Sequence, residues 1–149
     1  MARLSRRFPA ATLLVAGLLV AVGCEGGPQF AEVEGAVTQG GKPLPNVRVE
    51  FWPESNGPKS SGVTDTGGHY VLKSEDGKQV GAMVGSHKVV LKDLVQYGEK
   101  FLGRKAENVK DLSGGKKPRF GAEYSDAART QVKKSVAAGE KNKIDIEVK

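Results

Sequence analysis

The feature that most constrains this chain is a series of short alternating runs, each closed within a few residues by glycine, proline or aspartate. Val47–Trp52 (VRVEFW) sets Val47, Val49 and Phe51 on one side and Arg48, Glu50 and Trp52 on the other. That period of two marks a half-buried strand. Lys143–Lys149 (KIDIEVK) repeats it, with Ile144, Ile146 and Val148 inward and Asp145 and Glu147 outward. Ala31–Thr38 alternates as well, Val33 and Val37 facing away from Glu32 and Glu34. Between the runs, Gln39–Pro45 reads as a turn from which Leu44 tucks inward, and Pro53 ends its strand because it has no ladder donor. Glu54–Ser61 is a polar loop, Gly62–Asp65 a short strand, and Thr66-Gly67-Gly68 a tight turn for which Asp65 can accept amide hydrogen bonds. His69–Lys73 follows as a strand with Tyr70 and Leu72 on one face. After the Ser74–Lys78 loop, Gly85–Lys92 forms a strand with Val89 and Leu91 toward the core. With 20 glycines, 7 prolines and 6% aromatics, the chain has many turns and a small, aliphatic core. The expected fold is all-β: an antiparallel β-sandwich of about seven short strands.

One segment departs from that rhythm. Within 93–123, Leu94, Tyr97, Phe101, Val109 and Leu112 fall near helical spacing. Gly98 and Gly103 oppose a helix by about 1 kcal/mol each. The basic run that follows reads as a solvated loop containing Lys116, Lys117 and Arg119. Residues 93–123 are therefore expected to be a partly helical or mobile insertion before the C-terminal strands.

The N-terminus reads as an address. Met1–Arg7 is positive, and Ala10–Gly23 is an apolar run of 14 residues. As a helix it spans roughly 21 Å, short of a hydrocarbon core of roughly 30 Å, so it reads as a secretory signal peptide. Ala21-Val22-Gly23-Cys24 resembles the bacterial lipoprotein lipobox, in which small residues precede a cysteine that is lipidated and becomes the new N-terminus. That resemblance implies a signal peptide over 1–23, a lipidated Cys24 with a flexible tether over 24–30, and a domain over 31–149. It also implies an anchor in the cell membrane or outer membrane, with the domain facing the periplasm or exterior. Two or three acyl chains on one cysteine hold a protein stably at a membrane, where a single chain does not.

The domain carries a resemblance too. Its residues are Val33-Glu34-Gly35-Ala36-Val37, Gly41-Lys42-Pro43-Leu44, Val47–Pro53, Thr64-Asp65-Thr66-Gly67-Gly68-His69-Tyr70, and Gly85-Ser86-His87-Lys88-Val89. Together they resemble carboxypeptidase-regulatory-like domains, which have a transthyretin/prealbumin-type sandwich and occur in small bacterial lipoproteins. His87 stands where an aromatic is usual. Pro118, Tyr124, Thr130, Val132, Val136, Gly139, Asn142, Ile144 and Ile146 fit the C-terminal part of the pattern. The resemblance covers Val33–Lys92 and Pro118–Lys149, and it implies a fold without chemistry.

Function is read from what the residues can support. One cysteine excludes an internal disulfide framework, and two histidines on separate strands, His69 and His87, do not make a metal site. Asp65 before a glycine turn lacks the further acids of a calcium loop. No nucleophile, zinc or phosphate-loop motif is present, so the chain reads as non-enzymatic, with no cofactor. The formal charge of +6 falls to +3 outside residues 1–23, which does not point to nucleic acid. The expectation is a lipid-anchored envelope module with a structural or protein-interaction role. The alternative is an extracytoplasmic ligand-binding module, with carbohydrate as ligand. Trp52, on the polar side of its strand beside Pro53, is the candidate contact for an envelope protein or polysaccharide. Packing beneath the 93–123 insertion is its other reading.

Overall fold

A computed structural model of the chain describes residues 27–97 and 117–149. The strands are β1 (Phe30–Ala31), β2 (Val33–Gln39), β3 (Lys42–Pro43), β4 (Val47–Pro53), β5 (Ser60–Val63) and β6 (His69–Val71). They continue as β7 (Lys73–Ser74), β8 (Ala82–Met83), β9 (Gly85–Asp93), β10 (Lys133–Val136), β11 (Asn142–Lys143) and β12 (Ile146–Val148). One helical turn, α1 (Leu94–Tyr97), follows β9, and a 3-10 turn covers Ala122–Ser125.

The result is the expected all-β sandwich. One sheet runs β10-β9-β4-β5-β7, antiparallel throughout. In the other, β2 pairs antiparallel with β3 and β6 and parallel with β11 and β12. A small ladder of β1 with β8 lies beside them. The alternation does its work between the layers. Val47, Val49, Phe51, Val89, Leu91 and Val136 come from the first sheet. They meet Val33, Val37, Tyr70, Ile146 and Val148 from the second, joined by Leu72 and Ile144.

Gly35 has a specific task in that core. A Cβ there would collide with the Ile144 carbonyl, which accepts a 2.6 Å hydrogen bond from the Tyr70 hydroxyl. The missing side chain lets β2, β6 and the C-terminal segment close on one another. Burial pushes the Tyr70 phenol well above its ordinary range. Asp65 holds the glycine turn as expected, its Oδ1 accepting from the Gly67 and His69 amides at 2.9 Å each. Gly68 takes a φ of +77° there. Leu44 is buried, and the outward faces of β2 and β12 carry Glu34 and Glu147 as the alternation requires.

Several expectations need correction. The sandwich is not wholly antiparallel, because the closing strand pairs parallel with β2: Ile146 lies opposite Val37 and Val148 opposite Gln39. Periodicity assigns faces, not partners, so it could not show this. The strand expected at Gly62–Asp65 starts at Ser60, and β8 and β10 were not foreseen. Arg119 is no solvated loop residue. Its Nε lies 2.9 Å from Asp93 Oδ2 and its Nη2 2.7 Å from Oδ1, and its Nη1 donates to the Pro45 carbonyl at 2.8 Å. The buried Asp93 carboxylate needs a cation of fixed fork geometry, which arginine supplies. Of the 93–123 insertion, Leu94–Tyr97 is helical and residues 98–116 lie outside the described residues.

Candidate functional site

The candidate surface is the outer face of the five-stranded sheet, built by the polar half of the clearest alternation. Register across β4, β9 and β10 places Trp52 beside Lys88 and Lys88 beside Lys133. The next row sets Ser61, Glu50 and Val90 together, and the one after it Val63, Arg48 and Lys92. Cross-strand neighbours in such rows have Cβ atoms about 5 Å apart. The rows therefore form one continuous patch.

At its centre Glu50 is 0% exposed, although it points away from the core. Arg48 Nε and Lys92 Nζ each approach Glu50 Oε1 to 3.2 Å. Neither contact has hydrogen-bond geometry, so Oε1 is held by charge and has no hydrogen-bond donor among the described residues. The other oxygen, Oε2, accepts the Trp52 indole N–H at 3.0 Å. Trp52 remains 37% exposed, with the Lys59 ammonium 4.9 Å from its ring centroid. Lys59 also pairs with Glu75, and Lys133 with Glu54 at 2.8 Å. The Lys133 ammonium holds the Glu54 carboxyl below its usual range. Lys88 forms no ion pair among the described residues. Beside the indole lies a hollow of about 560 Å³ lined by Trp52, Pro53, Glu54, Lys88, Ala127 and Ala128.

Sequence reasoning singled out Trp52 but missed its supports. Glu50 lay on the face assigned to water; Arg48 and Trp52 flank it on the same side of β4, but the Lys92 ammonium that completes its cover comes from β9. The two histidines are not brought together. His69 is exposed on β6 in the second sheet, whereas His87 is 1% exposed on the inner side of β9. His87, at the position where the resemblance has an aromatic, is a core residue. Its ring packs 5.6 Å from that of Phe51, with Nδ1 3.0 Å from the Gly85 carbonyl. The signal was present in the sequence, since His87 shares its parity with Val89 and Leu91. Burial lowers its pKa, against the opposing pull of the Gly85 carbonyl and of Glu54.

The second sheet has its own outer hollow, about 650 Å³, lined among others by Ala36, by His69 opposite it in register, and by Asp145. Its carboxylates have structural employment. Asp145 accepts from the Ala36 amide at 2.9 Å and Asp65 from its own turn. No group of three metal-ligating side chains occurs among the described residues. No helix among them is long and apolar enough to cross a membrane. Cys24 and the 1–23 segment lie outside the described residues. Comparison with protein-family models, curated proteins and solved structures gave no match.

Proposed function

We propose that this chain is a non-catalytic interaction module of a bacterial cell envelope, tethered by lipid on Cys24 and presenting the outer face of the β10-β9-β4-β5-β7 sheet. The observation that carries the reading is Trp52. A large aromatic, more than a third exposed, is held by a hydrogen bond to a fully buried carboxylate and by a lysine ammonium against its ring. Exposed aromatics that merely tolerate solvent need no such support. Aromatic and arginine anchors fixed before binding lose little side-chain freedom on contact, and they dominate recognition surfaces. The apolar run over 10–23, the small residues before Cys24 and the tether after it supply the membrane half of the reading.

Photo-crosslinking in cells tests this on the full chain. A photoreactive residue at Lys133, on the proposed face, should yield adducts. The same residue at Lys143, on the other sheet, should yield few. Equal adducts from both positions, or none from position 133, would overturn the reading.

A further inference from the structure

We propose that the Trp52 face is a site for an acidic polysaccharide, in which the indole stacks on a sugar ring, Lys88 meets its carboxylate, and Glu50 is the positioning residue that fixes the indole. The inference rests on the interaction reading above and names its ligand class.

Three observations point to a charged glycan over a protein. Among the described residues Trp52 is the one large aromatic on a face whose other side chains are mostly charged, with Ser61, the exposed Val63 and the buried Val90. A protein interface of stable size has an apolar core depleted of charge, whereas here Val63 lies two rows from Trp52, with the Glu50 row between them and Arg48 and Lys92 alongside. A sugar ring needs one flat aromatic surface with polar groups at its rim, which the indole and the adjoining hollow, lined also by Pro53, Glu54, Lys88, Ala127 and Ala128, provide. The charge balance then selects an anion. Arg48, Lys59, Lys88, Lys92 and Lys133 outnumber Glu50, Glu54 and Glu75, and Lys88, at the hollow itself, is the cation without an ion pair among the described residues.

Glu50 explains how the site is prepared. A buried ion cluster is poor value for stability alone, since an apolar residue of similar size in its place is often neutral or better. Here the buried carboxylate binds the indole N–H and lies 3.2 Å from both the guanidinium and the Lys92 ammonium. It sets ring orientation and cation placement before any ligand arrives, as a preorganised site requires.

The chain has one tryptophan, so its fluorescence reports this site alone. The full lipidated chain in detergent would be titrated with oligogalacturonate, and with neutral malto-oligosaccharide as control. Oligogalacturonate should shift the emission and release heat in calorimetry, weakening as salt rises; the neutral sugar should do neither at equal concentration. By calorimetry, Trp52→Ala and Lys88→Gln should each weaken binding by about tenfold or more. Glu50→Leu should keep a cooperative melt yet lose binding to a similar degree, while Glu50→Gln, which retains an acceptor for the indole, should stay within about threefold. A purely structural Glu50 would leave affinity unchanged in the folded Leu variant, and that result would overturn its positioning role. No response to oligogalacturonate, or an equal response to the neutral sugar, would overturn the ligand class. If position 133 meanwhile crosslinks to a protein, the interaction reading stands and only the glycan falls.

Discussion

Replacing Ile146 by alanine tests the closing strand, on which both the sandwich and its parallel seam depend. Ile146 is 2% exposed, lies opposite Val37 in β2, and belongs to the core shared by both sheets. The substitution removes three buried carbons, which at about 0.8 kcal/mol each is about 2.4 kcal/mol of lost transfer free energy. The void left between two packed sheets cannot collapse fully, and the cavity contribution raises the total to about 3–4 kcal/mol. Lys143→Ala is the control. Lys143 is exposed, with its β11 segment paired to the same strand, and its loss should stay within about 0.5 kcal/mol. Urea denaturation of the chain lacking residues 1–24, followed through Trp52, measures both. A one-residue slip would turn every side chain of this segment to the other face, so equal losses at Ile146 and Lys143 would refute the assigned register.

Asp93→Ala should cost about 1.5–3 kcal/mol, because the Arg119 guanidinium loses the buried carboxylate onto which it forks and keeps only backbone carbonyls such as that of Pro45. In a double-mutant cycle with Arg119→Ala the coupling should exceed about 0.5 kcal/mol, and additive losses would contradict the clasp. Stability should also fall as pH drops from about 7 toward 5. The unfolded chain protonates His87 near its ordinary pKa of about 6.5, whereas the folded chain, with the ring buried, protonates it only at lower pH. The unfolded state therefore binds more protons across that window and gains on the folded one. His87→Gln should flatten the slope in urea melts at pH 7.5 and 5.5; an unchanged slope would assign it to other groups.

The alternation in Val47–Trp52 and Lys143–Lys149 made the sandwich and its inner residues legible, because burial on one face leaves a period of two. Pairing direction was not legible, since the same period serves parallel and antiparallel partners. Lys133–Val136 escaped notice because its two lysines and serine hide a strand whose single deeply buried residue is Val136. Trp52 was visible as an exposed aromatic. Glu50 and Arg119 were not, because their burial arises from residues distant in sequence: Lys92 for the first, Asp93 and Pro45 for the second. Local pattern encodes which way a side chain points; what closes over it is a tertiary fact.

The proposed binding face depends on a lipid anchor at Cys24, and the intact mass of the protein extracted from bacterial membranes is the decisive measurement. The mass should equal residues 24–149 plus the acyl groups on Cys24, and Cys24→Ala should release the protein from the membrane fraction. A mature chain that begins elsewhere, or a Cys24→Ala variant that stays in the membrane, would contradict it.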